Sequence, residues 1–388
     1  MSITLILHEA SRTGAPRVGG LVAAALMEHD AVDVIVMRPG PLVPWLERVI
    51  GTERLTVCEG DEFAYSVPFK RRLRAAKKLL DSRDSDIIYV NSVAASPFVI
   101  AGKQAGRGVI LHGHEKAAEL RSLLRLDGTK VNLMRMVDAV VLAADTLGAD
   151  MEEIFGFLPD LVQNFGTIID IEDVRMLANE PMPPPVNAAG EKLEFGNRFV
   201  VGMCGVAAAR KGSDIFFQLA KEMPEMDFLW VGGWSLDEAP DNLAYADFLS
   251  VKLPNLFVTG SVDNPYAYIA KMDLFFLSSR EDPNPLVLAE ALVLQVPILC
   301  FSYTTAVTAW VARNTIMCYG PPNVTDAARV LRSIDRAEFS LPEYRSLYDS
   351  AISRFEVRNK LTPMLDMITE VRSRMSVARS PQPIGDEA

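Results

Sequence analysis

The chain has 388 residues, of which 49% are hydrophobic and 23% are charged. This length suits two domains that each bury a core, and this composition excludes a disordered chain. The formal net charge of −11 argues against general nucleic-acid binding, because neutralising phosphates requires a basic surface. The two halves of the chain carry similar net charges, so the charge pattern points to no particular charged partner.

The four cysteines lie far apart, and none forms a Cys-x-x-Cys pair. A structural zinc site or a disulfide framework is therefore not expected, and a reducing compartment fits. The first residues lack the basic start of a signal peptide, and no run reaches the roughly 20 apolar residues of a membrane span. The sequence predicts a cytoplasmic protein and leaves open a peripheral position at the inner face of the membrane.

Short apolar runs alternate with amphipathic stretches along the first half of the chain. Continuous apolar runs such as VDVIVM and DIIYVN are typical of parallel strands buried on both faces. Strand–helix alternation predicts a parallel sheet covered by helices on both sides. The predicted strands are 3–7, 32–37, 55–57, 86–90, 108–111, 139–142 and 161–163, and helices are predicted at 17–27, 68–80 and 145–155.

A proline-rich segment, 181–197, interrupts this alternation and is the best candidate for a linker. A second alternating block follows it, so the second half of the chain predicts another parallel sheet. Its strands are predicted at 199–204, 227–233, 256–260, 273–279, 296–301 and 315–320, with helices at 213–222, 285–294 and 324–334.

These patterns predict an α/β protein with two doubly wound, Rossmann-like domains that face a central cleft. The first domain is predicted at 1–180 and the second at 198–350, on either side of the linker. A C-terminal helix is predicted at 351–375, and its packing back on the first domain is left open. Residues 376–388 are predicted to be disordered. Because open parallel sheets bind ligands where strands end, the loops after the strands are the places to search.

Two loops of the first block carry chemical groups. Loop 8–16, HEASRTGAP, leads into a helix, where Gly14 would let backbone N–H groups approach an anion. The loop lacks the G-x-G-x-x-G pattern of dinucleotide sites, and an ordinary turn also explains its Gly and Pro. In loop 112–115, HGHE, metal ligation, a hydrogen bond to a ligand hydroxyl and a structural histidine all remain open.

In the second block, the loop GVAAARKGSDIF places Arg210 and Lys211 between a strand and a helix start. Arg offers a planar fork to phosphate oxygens and Lys a compact charge, so the pair suits a diphosphate. A solvated surface pair is the alternative.

The segment SSREDPNPLVLAEAL places Asp282 in a loop and Glu290 in the following helix. Carboxylates accept hydrogen bonds from sugar and ribose hydroxyls, whereas the backbone N–H groups at Asn284, Leu286 and Val287 can face a phosphate. Paired carboxylates also occur in glycoside hydrolases, but those enzymes do not need a cation pair for a diphosphate.

Together these loops resemble family 4 of the retaining glycosyltransferases, whose architecture is the two-domain glycosyltransferase B type. The stretches that carry the resemblance span roughly residues 3–310 and are densest from 199 to 302. The Glu-x7-Glu motif of that family appears here as Asp282-x7-Glu290, with Asp in place of the first Glu. The stretches are ASRTGAP, HGHE, RKGSDIFFQLA, FLWVGG, VTGSVDNPYAYIAKMDLFFLSSREDPNPLVLAEAL and VPILCF.

The resemblance implies roles for the residues singled out above. Arg210 and Lys211 would hold the diphosphate of a nucleotide-sugar donor, linked to UDP or GDP, and Glu290 would accept bonds from its ribose. Asp282 would hold the donor sugar, and His114 would approach that sugar from the first domain. The resemblance implies no metal and no cofactor. The remaining donor-binding residues would be Gly14, Val262 beside the base, Asn284, Leu286 and Val287.

The resemblance also implies transfer with retention to a carbohydrate, lipid-linked or other acceptor, in a role such as cell-surface glycan synthesis.

One further motif, KRRLRAAKK at 70–78, carries six cations. An apolar stripe at helical spacing predicts a helix with all six cations on its opposite face. A solvated helix is one interpretation, and docking onto anionic lipid is the other.

Other functions remain open at the level of the sequence. A nucleotide-sugar epimerase of the same architecture would bind the donor without needing an acceptor. A non-catalytic partner subunit would bind sugar nucleotides without transferring anything, because a fold does not fix a function. A phosphorylase of the pyridoxal type would need a Schiff-base lysine, and the missing glycine fingerprint disfavours a dehydrogenase.

Overall fold

The computed structural model describes residues 2–128, 131–233, 252–280, 282, 285–302, 304, 316–318, 321–335 and 342–379. The chain divides into two compact units. The first unit comprises residues 1–168 and 357–388, and the second comprises residues 169–356.

The first unit is built on a parallel sheet of seven strands among its described residues, in the order β3-β2-β1-β4-β5-β6-β7. The central strands are apolar and fully buried because helices cover both faces. The strands are β1 Ser2–Leu7, β2 Ala31–Val36, β3 Leu55–Val57, β4 Ile87–Asn91, β5 Gly108–Gly113, β6 Ala139–Leu142 and β7 Leu161–Asn164. The helices are α1 Gly14–Leu26, α2 Val43–Ile50, α3 Phe69–Asp81, α4 Ser96–Gln104, α5 Ala117–Asp127 and α6 Leu147–Phe155, with 3-10 turns at Asp61–Phe63, Val93–Ala95 and Leu133–Met136.

The second unit repeats this design with six parallel strands among its described residues, in the order β10-β9-β8-β11-β12-β13. Aromatic side chains such as Phe216, Trp230 and Phe276 fill its core in edge-to-face and stacked pairs. The strands are β8 Val200–Cys204, β9 Asp227–Val231, β10 Leu256–Val258, β11 Leu274–Leu277, β12 Ile298–Phe301 and β13 Ile316–Cys318. The helices are α7 Ile171–Ala178, α8 Ser213–Glu222, α9 Tyr266–Ile269, α10 Leu286–Val293, α11 Val324–Ser333 and α12 Pro342–Phe355, with a 3-10 turn at Ala209–Lys211.

Every predicted strand is present, and its bounds differ from the prediction by at most two residues. Both strand orders reverse direction at one point, between β1 and β4 in the first sheet and between β8 and β11 in the second. Loops diverge at such a reversal and leave a crevice at the carboxyl ends of the strands. Each sheet therefore has one such crevice, at which a ligand is expected to bind.

The unit boundary lies earlier than the predicted linker at 181–197. The first unit was predicted to run to residue 180, but helix α7 belongs to the second unit. The reason is packing, because Ile169, Ile171, Val174 and Leu193 are all buried in the second unit's apolar core. The proline-rich segment is itself tied to the second unit through Asn187, which donates a hydrogen bond of 3.0 Å to the carbonyl of Pro254.

The C-terminal helix also differs from its predicted range of 351–375. Residues 351–355 end α12 in the second unit, whereas α13, Val357–Arg379, belongs to the first unit. Arg372 on α13 pairs with Asp30 at 3.0 Å and with Asp86 at 2.7 Å. Residues 376–379, predicted to be disordered, continue this helix, and residues 380–388 lie outside the described residues.

Helix α3 forms where the basic motif predicts it, but one of its six cations is not on the solvated face. Arg72 is 1% exposed and forms an ion pair with Asp127, the last residue of α5. Its second Nη donates to the Asp127 carbonyl at 2.6 Å, and Ser96 donates to the same carboxylate at 2.5 Å. The exposed cations of α3 are Lys70, Arg71, Arg74, Lys77 and Lys78.

Candidate active site

At the carboxyl end of the second sheet, the loops after β8 and β11 lie against each other. The 3-10 turn after β8 carries Arg210 and Lys211, and Ser278 follows β11. The Ser278 hydroxyl donates to the Lys211 carbonyl at 2.9 Å. Gly212 has a φ of +69°, and a Cβ there would stand 2.0 Å from the Ser278 carbonyl oxygen. Only glycine allows this approach, which fixes the two loops side by side.

This contact brings Lys211 and Asp282 together as an ion pair. Their side chains are only 14% and 9% exposed, so solvent screens the pair poorly. The backbone N–H of Asp282 also donates to the Thr304 carbonyl at 2.9 Å. The pairing was not predicted, since Lys211 was expected to face a phosphate and Asp282 a sugar. In the structure each of these side chains neutralises the other.

Arg280 holds the turn that carries the two candidate phosphate-binding residues. Its backbone N–H donates to the Arg210 carbonyl at 2.8 Å, and its Nη1 donates to the Ala209 carbonyl at 2.6 Å. Both Nη atoms also donate to the carboxylate of Asp214, in the first turn of α8, at 2.6 Å each. Burial opposes ionisation of Asp214, but this guanidinium fork outweighs it and lowers the pKa of Asp214. Three segments are thus joined through one side chain.

Glu290 lies on α10, is 6% exposed, and accepts a hydrogen bond of 2.9 Å from the Tyr266 hydroxyl. The carboxylate accepts this bond through Oε1, so Tyr266 helps to orient Glu290. Tyr266 begins the short helix α9 and is itself buried. It is a partner that the Asp-x7-Glu spacing does not indicate.

The remaining predicted donor-binding residues are less closely connected to this group. Arg210 has an exposed side chain. Val262 and Val287 are half-buried and pack against the apolar core, and Leu286 is a half-buried residue at the start of α10. Asn284 lies outside the described residues.

In the first unit, the loops after β1, β4 and β5 carry a second group of polar side chains. His112 and His114 have ring centroids 4.2 Å apart, and the Tyr89 hydroxyl lies 2.9 Å from Nδ1 of His112. Burial and the neighbouring His114 lower the pKa of His112 far below its ordinary value. Such a histidine is neutral, which argues for the structural interpretation of His112. Gly14 is exposed and begins α1.

Glu115, the last residue of the HGHE motif, is a buried carboxyl group at the end of this loop. Its Oε1 accepts bonds from the Ser92 hydroxyl and, at 3.2 Å, from the Val93 N–H, while its Oε2 accepts from the His114 N–H at 3.0 Å. Ser92 directly follows β4 and has a φ of +124°, a conformation that L-residues rarely adopt. Glu115 therefore joins a strained strand end to the histidine loop.

We expect the stability of the protein to depend on the protonation of Glu115. Burial raises the pKa of Glu115 to about 7, although the bonds from Ser92 and His114 lower it in part. The unfolded chain therefore loses this proton at a lower pH than the folded chain. Relative to Glu115→Gln, the wild-type protein should lose about 1 kcal/mol or more as the pH rises from about 5 to about 7.5.

Urea unfolding, followed by hydrogen exchange of peptides from α5, measures this difference at each pH. The matched control is Glu152→Gln, because Glu152 is an exposed residue of α6 in the same unit. Parallel pH profiles for the wild type and Glu115→Gln would contradict the prediction.

Among the described residues, no group of three or more His, Cys, Asp or Glu side chains is arranged to hold a metal ion. Metal ligation by HGHE therefore gains no support from the part of the chain that the structure describes. Within the same part, no helix has the combination of length and apolar character that crossing a membrane requires.

Sequence reasoning missed several partners that this geometry reveals. They share one signal, which is position at the end of a strand, in the loop that follows it or at the start of a helix, where ligands of parallel sheets bind. The missed residues are Asn91, Ser92, Asp214, Tyr266 and Arg280.

The second unit matches a known protein family. Residues 198–334 match the family described as glycosyl transferases group 1, and this range contains Lys211, Asp282 and Glu290. The alpha-galactosylglucosyldiacylglycerol synthase of Streptococcus pneumoniae is 33% identical to this chain over 106 residues. That alignment covers 26% of this chain and 28% of the synthase.

The likeness to solved structures extends over nearly the whole chain. HepE from Anabaena, solved in complex with UDP and glucose, superposes with a TM-score of 0.74 at 19% identity. Sucrose-phosphate synthase from Thermosynechococcus elongatus superposes with a TM-score of 0.71 at 14% identity. Each alignment covers 96% of this chain and 100% of the other. The predicted fold class is thereby confirmed: two Rossmann-like α/β domains of the glycosyltransferase B type.

Proposed function

We propose that this protein is a glycosyltransferase that moves a sugar from a nucleotide-diphosphate donor to a hydroxyl group of an acceptor. One observation carries the proposal. The range that matches the glycosyl transferases group 1 family contains Lys211, Asp282 and Glu290, all on elements at the carboxyl ends of β8 and β11. HepE was solved with UDP and glucose, which supports a nucleotide-diphosphate sugar as the donor of this chain. We propose that the donor is linked to UDP or GDP.

At the donor, Arg210 and Lys211 would bind the diphosphate and Glu290 would accept hydrogen bonds from the ribose. Asp282 would hold the sugar, and His114 would contribute from the first unit. Because Lys211 is paired with Asp282, the incoming phosphates must compete with this carboxylate for the ammonium group. The base would pack on Val262. Backbone groups at Gly14, Asn284, Leu286 and Val287 would complete the donor contacts.

The reaction we propose proceeds with retention, as in family 4 glycosyltransferases, and needs no cofactor. The bond between the sugar C1 and the phosphate oxygen breaks, and its electron pair leaves with the diphosphate. The acceptor oxygen bonds to C1 on the same face, and its proton passes to the departing phosphate. We propose that Arg210 and Lys211, rather than a metal ion, stabilise the negative charge that develops.

For the acceptor, we propose a lipid-linked or other carbohydrate used in building cell-surface glycans, at the cytoplasmic face of the membrane. The pneumococcal relative is named as a synthase of a galactosylglucosyldiacylglycerol, which is a glycolipid. A membrane-bound acceptor would favour an enzyme with an anion-binding surface. The exposed cations of α3 offer such a surface on the first unit.

The decisive assay is a panel of UDP- and GDP-sugars in which released nucleotide is measured with and without candidate acceptors. The proposal requires release that depends on an acceptor. Release without that dependence would favour an epimerase or a hydrolase. Donor binding with no release at all would favour a sugar-nucleotide-binding subunit.

We expect the five exposed cations of α3 to bind anionic membranes. Replacing all five with glutamine should abolish co-sedimentation with vesicles that contain phosphatidylglycerol, because each cation near such a surface contributes about 1 kcal/mol. Arg72 stays unchanged because it is buried. The matched control removes five exposed cations from the second unit, namely Lys221, Lys271, Arg329, Arg332 and Arg345. Equal losses in both variants, or no binding by the wild type, would refute docking through α3.

A further inference from the structure

Asn91 is the last residue of β4, and its buried side-chain amide has only one acceptable orientation. Its Nδ2 donates to the Ala15 carbonyl at 2.7 Å, and its Oδ1 lies 3.0 Å from Nε2 of His114. Turning the amide over would bring its oxygen within 2.7 Å of the Ala15 carbonyl oxygen. Two acceptors at that distance repel each other, so the amide oxygen must face the histidine.

The orientation of the amide decides which nitrogen of His114 carries the proton. An amide oxygen only accepts hydrogen bonds, so Nε2 of His114 must be the donor. In a neutral ring the lone pair is then left on Nδ1. Burial and the neighbouring His8 lower the pKa of His114 to about 3, so the ring stays neutral at physiological pH.

Two further contacts hold this arrangement in place. The ring of His114 packs against that of His112 at 4.2 Å between centroids. Gly19 of α1 packs so closely on Asn91 that a Cβ at Gly19 would stand 2.8 Å from the amide carbon. A side chain enclosed in this way has little freedom to rotate.

We propose that Asn91 is a positioning residue that locks His114 in the Nε2–H tautomer, so that His114 offers Nδ1 as a neutral acceptor to a substrate hydroxyl. The tautomer follows from the hydrogen bonds alone, whereas the role toward a hydroxyl rests on the proposed function. A neutral acceptor suits a sugar, whose hydroxyls donate, and does not suit a phosphate. His114 is thereby distinguished from Arg210 and Lys211, which would hold the anionic end of the donor.

The tautomer can be tested on the free protein by long-range ¹H–¹⁵N NMR with ¹⁵N-labelled histidine. The chain has four histidines, and comparison with His114→Gln identifies the signals of His114. We expect a protonated Nε2 and an unprotonated Nδ1 across the range from about pH 5 to about pH 8 in which an unperturbed histidine titrates. A protonated Nδ1, or titration of His114 within that range, would overturn the proposal.

The role of Asn91 is tested with Asn91→Asp. A carboxylate facing Nε2–H favours the imidazolium, so His114 should titrate at a higher pH than in the wild type. Acceptor-dependent turnover should then fall by about three- to tenfold on the acid side, the effect of one lost hydrogen bond. An unshifted titration, or a shifted one that leaves turnover unchanged, would overturn the positioning role.

The matched control is Asn132→Asp, in the same unit. The Asn132 Nδ2 also donates to a backbone carbonyl, that of Phe155 at 2.8 Å, and its Oδ1 accepts from the Met134 N–H. This control should leave the His114 signals and the pH profile unchanged. If no nucleotide-sugar is turned over at all, the proposed function fails, and the NMR spectrum still decides the tautomer.

Discussion

Replacing Lys211 with alanine is expected to reduce sugar transfer by about ten- to a thousandfold, because one fixed cation is lost where the diphosphate gains charge. The same substitution leaves the buried carboxylate of Asp282 without its partner. Arg210→Ala should also reduce transfer strongly, and it leaves that ion pair intact because the Arg210 side chain is exposed. Initial rates and nucleotide affinity, measured by titration calorimetry, check both variants.

The matched control for Lys211→Ala is Lys221→Ala, which removes an exposed lysine from the adjacent helix α8. Its transfer rate should equal that of the wild type. Urea unfolding of Asp282→Asn, which breaks the ion pair but retains the cation, measures how much the pair contributes to stability apart from its role at the donor. Full activity in both Arg210→Ala and Lys211→Ala would refute the assignment of the diphosphate site.

The largest loss of stability is expected for Asp127→Ala. This substitution leaves Arg72 buried, at 1% exposure, without a carboxylate. Breaking a buried ion pair from one side typically costs about 3–5 kcal/mol, because the remaining charge stays desolvated. Urea unfolding, followed by hydrogen exchange of peptides from α3 and α5, measures the change.

Two comparisons separate this effect from a general loss of packing. Glu153→Ala breaks the exposed pair of Arg121 and Glu153, and it should cost about 1 kcal/mol or less. The double substitution Arg72→Met with Asp127→Leu removes both charges, so it should be less harmful than Asp127→Ala. Equal losses for the buried and the exposed pair would contradict the interpretation.

The buried ion pair of Arg72 and Asp127 shows what helical periodicity in a sequence can predict and what it cannot. The stripe of Ala76 and Leu80 correctly predicted the buried face of α3. The same periodicity placed all six cations on the opposite face, because it carries no information about a distant acid. The partner of Arg72 is Asp127, 55 residues away, and only tertiary structure brings the two together.

The candidate site shows the same division between local and long-range information. Strands and their following loops were predictable, since apolar runs, glycine and proline act locally. The strand orders were not, and they decide that the loops after β8 and β11 are neighbours. Two contacts depend on that order. Lys211 forms an ion pair with Asp282, and Arg280 donates a hydrogen bond to the Ala209–Lys211 turn.

The boundary between the two units also depends on long-range packing that the sequence pattern does not show. Prolines between 181 and 197 indicated a linker, but the buried apolar residues of α7 place the boundary before that helix. A proline-rich composition reports local backbone restriction and not which core a neighbouring helix joins.

Because α13 completes the first unit, the second unit is in effect an insertion within the first. Val371 is fully buried there, and Arg372 neutralises Asp30 and Asp86, which directly precede β2 and β4. During synthesis, the ribosome must therefore translate the entire second unit before the first can close its structure. All residues of the second unit are thus synthesised before α13. The seven-stranded sheet of the first unit lacks this helix until residue 379 has left the ribosome.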